Sequence, residues 1–428
     1  MSAKQHIEQV VIVGGGLVGG LCALLLAKAG IQPVVLDAAP LLNDSLLSRR
    51  DARVLALSPA SISLLQQAGV WSHVQRKADY YGMQVWSRDG YGQLQFGRTD
   101  AQTPTTAQAM LGSMIEPGVL SLAIQQQLST QLQHYRTQVS IQRIEAFSEY
   151  WQITLSTGEQ INTALLVGAD GGNSLVRQAV GIGVDRLDYQ QTAISCAIKT
   201  EKPHQQIARQ VFLPTGPLAF LPMADFTDPA AKILDSNGAN AKTESPSGHW
   251  QSVVWTLPEQ DAEYLSQQSD AEFLQAINHA SGNMLGHISA VESRAAFPLI
   301  AKQADRYVLP GLALIGDAAH VVHPLAGQGV NLGCLDAALL VDTLLHDQER
   351  GLWAHWQTLN RYEVKRRRHN SLMMHSFSAL NWLQSSSLVP LQWARSEGLH
   401  WVGQRQALLD IFPTQASGQS AIKDTRYA

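Results

Sequence analysis

Residues 10–37 read VVIVGGGLVGGLCALLLAKAGIQPVVLD. Val10 to Val13 is a run of β-branched residues of the kind buried on both faces in a parallel sheet. Gly14-Gly-Gly16-Leu-Val-Gly19 then spells G-x-G-x-x-G. Leu17 to Ala29 reads as a helix rich in Leu and Ala, stopped by Gly30. Pro33 to Leu36 reads as a second buried strand and hands over to Asp37, 21 residues after Gly16. That spacing is close to the roughly 20 residues of a dinucleotide-binding unit.

Each position has a physical reason. Gly14 permits the tight turn, Gly16 lets backbone approach a pyrophosphate, and Gly19 lets helix pack against strand. The helix N-terminus offers unpaired N–H groups and a partial positive charge to phosphates. Asp37 can accept hydrogen bonds from ribose hydroxyls, and its charge disfavours a 2′-phosphate. The residues alone leave FAD and NAD both open.

The rest of the 428-residue chain bounds the class. It is long enough for two or three domains. Apolar residues make up 45% and charged residues 15%, and the net charge of −4 gives no basic face for nucleic acid. The sparse cysteines Cys22, Cys196 and Cys334 fit a reducing, cytoplasmic setting without a disulfide framework. Val10 to Ala27 carries no charge over 18 residues, the length of a membrane span. The glycines at 14, 15, 16, 19 and 20 instead place a strand-to-helix turn inside it.

Two further segments repeat the strand-to-glycine handover. Ala164 to Val167 leads into GADGGNSLVR (168–177), which delivers Asp170 to a turn before a short helix. Leu312 to Ile315 leads into GDAAHVVHPLAGQGVNLG (316–333), with Asp317 at a strand's carboxyl end, where parallel sheets bind ligands. Gly327-Gln328-Gly329-Val330-Asn331 then opens a helix through about Leu345, its positive end toward the crevice. His320 and His323 have metal-ligand spacing but lack a third ligand nearby, so no metal is assigned. They read as residues that fix the turn by hydrogen bonds.

In this order the three motifs resemble the flavin-dependent aromatic hydroxylases with the p-hydroxybenzoate hydroxylase fold. DARVLALSPAS (51–61), YYGMQVWSRDGYG (80–92), PHQQIARQVF (203–212), GPLAFLPMAD (216–225) and ESRAAFPL (292–299) are similar to the hydroxylases of ubiquinone biosynthesis within it. The resemblance implies an α/β fold. A discontinuous Rossmann-like FAD-binding domain (1–75, 111–185, 297–350) would carry a β-sheet substrate domain (76–110, 186–296) and a C-terminal helical region (351–428). It places Gly14, Gly16, Leu17, Val18, Gly19 and Asp37 at the ADP half of FAD, and Arg53 on the flavin side. Asp170 would serve the pyrophosphate side and the path of NAD(P)H, and Asp317 the ribityl chain. Pro324 would bend the chain toward the flavin, with Gly327, Gln328, Gly329, Val330 and Asn331 against the pyrimidine edge. Pro117-Gly118 departs from the polar residue usual there, and proline offers no backbone donor.

The chemistry implied is ring hydroxylation of a polyprenylated phenol, at C5, with NAD(P)H as transient reductant and O2 adding to give a flavin C4a-hydroperoxide. No second G-x-G-x-x-G occurs, which fits a nicotinamide that visits and leaves. A same-fold flavin reductase and a non-catalytic flavin-bearing scaffold stay as alternatives; a halogenase would show W-x-W-x-I-P, which is missing. No phenol-activating group is assigned: Tyr189, His204 and His249 fall in the substrate region, but none stands out. Thr227 to Gly248 reads as a surface insertion. Five tryptophans (353, 356, 382, 393, 401) and Lys365-Arg-Arg-Arg-His369 lie beyond Gly351. They read as packing aromatics beside a solvated basic face. A bilayer-dissolved substrate adds peripheral membrane contact, at the inner face, or assembly with other pathway enzymes as an alternative. Homo-oligomerisation is left open.

Overall fold

The computed structural model describes residues 6–88, 93–97, 110–225, 248–322, 329–348, 350–385 and 417–428, without the side chains of 377 and 379–385. Pro324, Gly327, Gln328 and His323 lie outside the described residues, as do Trp393, Trp401 and all of the 227–248 stretch except Gly248. The main helices are α1 (Leu17–Lys28), α2 (Pro59–Gln67), α3 (Pro117–Gln131), α4 (Leu175–Ala179), α5 (Glu259–Gln267), α6 (Asp270–Ser281), α7 (Gly329–Gln348) and α8 (Trp356–Ser385).

Strand Glu8–Val13 is the centre of the first eight-stranded sheet. It pairs in parallel with Val34–Leu36 on one side and Gln160–Gly168 on the other. The parallel run extends to His134–Arg136 and to Leu312–Leu314. Val10, Val11 and Ile12 are wholly buried, as a strand covered on both faces requires. The uncharged 18-residue run thus divides into this strand and α1, whose Leu21 to Leu26 are buried against α3 and α7. Among the described residues, α7 is the one helix long and apolar enough to cross a membrane, and most of it is buried inside the protein.

The second eight-stranded sheet runs His320–Val321, Ile288–Ala304, Val184–Thr200, Trp250–Pro258, Gly216–Pro222, Ile207–Leu213, Gly82–Ser87, Gln93–Gly97. Its pairs are antiparallel except for Ile207–Leu213 with Gly82–Ser87. Strand alternation gives the sheet two different faces. Val211, Leu218, Phe220, Val253 and Trp255 pack under α5 and α6 against Phe273 and Ile277. The opposite face carries Ala208, Gln210, Ala219, Leu221, Val254 and Thr256. A three-stranded sheet of Leu55–Leu57, Gly112–Ile115 and Ala78–Tyr80 sits between the larger two in the chain path. Strand Ile288–Ala304 runs unbroken through 297, so sheet membership changes after residue 304.

The turn at 316–321 bridges the two large sheets. Leu314 ends a strand of the first, and six residues later His320–Val321 pairs with Lys302 and Gln303 in the second. The chain ends back on this core: Arg426 binds Asp342 on α7, and Tyr427 is 6% exposed.

Candidate active site

One cavity of about 1000 Å³ runs from Gly14, Gly16 and Asp37 past Asp317 and Arg53 to the open face of the second sheet. That is the upper end of the range for ligand sites, roughly 300–1,000 Å³.

The dinucleotide turn has the shape its glycines predict. Gly14 takes φ +102°, and a Cβ there would sit 2.4 Å from the Ala169 carbonyl oxygen. A Cβ on Gly19 would sit 1.9 Å from the Gly14 oxygen. Gly16 is different: a side chain there would meet no atom within 4 Å, because it faces the cavity. Gly16 caps α1 without a side-chain acceptor, and the first turn carries no acid. A helix N-terminus with no acid in its first turn and no side-chain cap is the environment a pyrophosphate requires. These residues fit the ADP half of a flavin dinucleotide. Leu17 and Val18 also line the cavity. Asp37 holds the turn itself, accepting from Gly15 N–H and Ala39 N–H at 2.8 Å each. Each oxygen retains a further lone pair for a ribose hydroxyl.

Val18 joins the first motif to the last. It lies against Gly316, and a Cβ on Gly333 would stand 2.5 Å from its Cγ2. Gly333 was not singled out by sequence reasoning, and its spacing within 316–333 is the one signal that could have found it. Arg177 joins the middle motif to the last. It is 4% exposed, and its guanidinium donates to the Ala318 and Gly172 carbonyls at 2.8 and 3.0 Å. Asp170 lines the cavity, but its carboxylate caps α4, accepting from Leu175 N–H, Val176 N–H and the Ser174 hydroxyl.

Asp317 opens onto the cavity rather than into the core. Its side chain is exposed to that space, while desolvation by the surrounding protein pushes its carboxyl above the usual range, with the charges of His320 and Arg53 pulling the other way. Arg53 points into the same space, its guanidinium 5.9 Å from the Phe297 ring. The segment leading to Arg53 is held from several sides. Arg76 donates to the Leu47 and Arg49 carbonyls and pairs with Glu116 at 2.9 Å. Glu116, just before Pro117, also accepts from Asp51 N–H at 2.8 Å. Ser293 donates to the Arg50 carbonyl and Ser195 to that of Ala52. Burial raises the Glu116 carboxyl, against the pull of these partners.

Gly329 and Val330 bring the start of α7 to the cavity. Asn331 is absent from its lining and is 2% exposed. Its amide accepts from Ser58 N–H and the Ser61 hydroxyl and donates to the Ala56 carbonyl. The side chain therefore ties α7 to α2. His320 fixes its turn as expected, through a buried acid. Asp336 accepts from His320 Nε2 and Arg366 Nε at 2.6 Å each, and from Gly316 N–H at 3.0 Å. Arg366 thus leaves the basic cluster for the core, while Lys365, Arg367 and Arg368 stay exposed. Burial raises the Asp336 carboxyl, but the charges and hydrogen bonds of His320 and Arg366 outweigh it and hold it well below the carboxylate range.

Tyr189, His204 and His249 do not reach the cavity. Tyr189 bonds to Ser378 at 2.6 Å, His204 Nδ1 accepts from Gln206 N–H at 2.9 Å, and His249 Nδ1 meets the Thr200 carbonyl at 2.7 Å. The sheet face over the cavity is apolar apart from Gln210 and Thr256, with Tyr80, Met83 and Met114 beside it.

A parallel dinucleotide-binding sheet and a second, largely antiparallel sheet line one long cavity, the layout of a dinucleotide-binding protein with a separate ligand-facing sheet. The solved structure of p-nitrophenol 4-monooxygenase PnpA from Pseudomonas putida DLL-E4 shares this fold, with a TM-score of 0.72 at 18% identity, covering 96% of this chain and 97% of that one. The chain belongs to the FAD-binding domain family, whose model matches residues 8–376. It is 34% identical to the 3-demethoxyubiquinol 3-hydroxylase of Escherichia coli K12 over 91% of this chain and 93% of that protein. It is 33% identical to ubiquinone hydroxylase UbiL of Rhodospirillum rubrum, over 97% and 91% respectively. The protein is an FAD-dependent monooxygenase, and NAD(P)H is the electron donor of its class.

Proposed function

We propose that the protein hydroxylates the aromatic ring of a polyprenylated phenol in ubiquinone biosynthesis. The observation that carries this reading is the continuity of the cavity from the Gly14–Gly16 turn to an apolar sheet face. Cofactor and a hydrophobic ring can lie end to end there, with Asp317 and Arg53 between.

When bound, FAD supplies the activation of O2 after reduction by NAD(P)H. The chain's own residues do the rest. The N-terminus of α1 takes the pyrophosphate, and Asp37 a ribose hydroxyl. Asp317 takes the ribityl side, and Gly329, Val330 and the positive end of α7 face the ring system, where reduction places negative charge. Arg53 adds a cation on the same side. Ala208, Leu221, Met83 and Met114 exclude water from the reacting ring. The first sheet is the core of the cofactor domain and the second that of the substrate domain. The bilayer-dissolved substrate calls for contact at the cytoplasmic membrane face. The resemblance to the hydroxylases of ubiquinone biosynthesis suggests C5 as the ring position; the Escherichia coli relative is named for position 3.

The test is the visible spectrum of the purified protein and of its denatured supernatant, then turnover with a short-chain prenylphenol. A yellow protein that releases FAD and couples NAD(P)H oxidation to a hydroxylated product supports the reading, and NMR of the product assigns the position. NAD(P)H-dependent saturation of the prenyl chain would mean a reductase, and bound FAD without turnover a scaffold. A colourless protein that takes up no FAD overturns the assignment.

A further inference from the structure

Gln210 is a polar residue flanked by apolar ones on the cavity face of the second sheet. Across the second sheet it lies beside Val85 on one strand and Ala219 on the other, with Val254 beyond Ala219. Ala208 and Phe212, its neighbours on the same face of its own strand, are apolar. The side chain is 7% exposed and lines the cavity, yet its amide makes no hydrogen bond among the described residues. It is also missing from the fully enclosed polar atoms that lack a partner, so the amide opens to the cavity. Of the other polar residues near it, Ser195 is spent on the Ala52 carbonyl and Gln84 on Arg209, while Thr256 lines the same face two residues beyond Val254.

An amide in an apolar cavity wall with no protein partner takes its hydrogen bonds from what the cavity holds, water or ligand. A ligand that displaces such water must replace its hydrogen bonds or lose affinity. The amide presents one acceptor and two donors, so it suits a group that both gives and takes a hydrogen bond. A phenolic hydroxyl is such a group, and its aromatic ring and alkyl chain suit the surrounding Met83, Leu221 and Val254.

We propose that Gln210 is the specificity-determining residue that recognises a ring oxygen of the substrate, orienting the ring under the second sheet. This rests on the aromatic-hydroxylase reading above. Its role is recognition and orientation. Sites built to hydrogen-bond a substrate hydroxyl discriminate strongly against the analogue that lacks it.

The experiment titrates FAD-loaded protein with a short-chain prenylphenol and with the matching prenylbenzene, reading the perturbation of the flavin spectrum. Wild type should prefer the phenol. Gln210→Met, close in volume and without the amide, should bind the phenol about tenfold more weakly, the value of one net hydrogen bond. Its affinity for prenylbenzene and its FAD stoichiometry should not fall, and its melting temperature should hold or rise. A merely structural role would not erase the preference between the two compounds while sparing FAD. Should Gln210→Met lose FAD, Gln210→Asn keeps the amide but withdraws it, and should likewise lose the preference. A variant that discriminates as wild type does overturns the assignment, as does a wild type with no preference. A wild type that binds neither compound overturns this assignment together with the hydroxylase reading.

Discussion

The Ser195 hydroxyl donates to the carbonyl of Ala52 at 2.7 Å, fastening the residue before Arg53 to the second sheet. Ser195 is fully buried and also lies 3.0 Å from the Val253 carbonyl, so its proton has two competing acceptors. Ser195→Ala should cost about 1 kcal/mol of stability. It should also weaken FAD binding, because the Ala52 carbonyl would keep only the longer Ser252 hydroxyl contact at 3.4 Å, while Arg76 and Ser293 still hold residues 49 and 50. Denaturant unfolding and an FAD titration of the apoprotein measure both. Unchanged FAD affinity would show that the segment is set without Ser195.

Gly333 has no room for a side chain. Its Cβ would stand 2.5 Å from Val18 Cγ2, and valine has little rotamer freedom on a helix. Gly333→Ala should destabilise by about 1–3 kcal/mol and lower FAD content. Val18→Ala in the same chain should recover most of that loss, since it removes the clashing methyl. Thermal melts of the two single variants and the double variant form the cycle. Additive losses would place the strain elsewhere.

Much of this site was legible because its signals are local. Val10 to Val13, the glycines and Asp37 all lie within one short span, and their spacing carries their geometry. Asp317 was legible for the same reason, as an acid at a strand's end. The parts that were not legible pair residues far apart in the chain. Nothing about Asp336 in the middle of α7 announces His320 and Arg366 as its partners, and nothing about Ser195 points to Ala52. Asn331 reads as a cofactor contact from its place in the motif, whereas tertiary packing turns its amide to Ser58 and Ala56. Arg366 reads as part of a basic surface run because helical phase, which points it inward, is invisible in a cluster of four adjacent cations.

Asp336 should be the most sensitive polar residue in the core. Asp336→Asn leaves Arg366 buried without its charge partner, a change worth about 3–5 kcal/mol. The sign with pH follows from its low folded-state pKa. The stabilisation is complete above the unfolded carboxylate value, near 3.9, and is lost as pH falls through the lower folded value. Acid unfolding should therefore begin earlier in wild type than the remaining carboxylates alone would give, and that contribution should vanish in Asp336→Asn. Chemical denaturation across pH 2 to 7 (roughly the span in which carboxylates titrate) reads both effects. A variant within 1 kcal/mol of wild type at neutral pH, about the worth of an exposed pair, would contradict the buried-pair account.

His204 gives a second pH dependence, at milder values. Burial pushes its imidazole down to about 4, and Nδ1 accepts the Gln206 amide proton, which requires the neutral ring. The unfolded chain binds a proton near pH 6.5, so stability should fall as pH drops from there toward 4 and then level off. The full effect is about 3 kcal/mol. His204→Asn can keep the acceptor without the titration and should flatten this window. An unchanged slope between pH 6.5 and 4 would assign the dependence to another group.

Asp317→Ala should lower FAD affinity at least about tenfold, the value of one charge-assisted hydrogen bond. The carboxylate is exposed to the cavity, and no hydrogen bond to its side chain ties it to the protein among the described residues. Removing it should therefore leave the apoprotein about as stable. Asp317→Asn should fall between, because the amide oxygen still accepts a hydrogen bond but carries no charge. A loss of cofactor affinity without a loss of apoprotein stability is what separates a ligand-binding acid from a structural one. Retention of full FAD affinity by the purified Ala variant would remove Asp317 from the site, and a loss of apoprotein stability would make it part of the 316–321 turn instead.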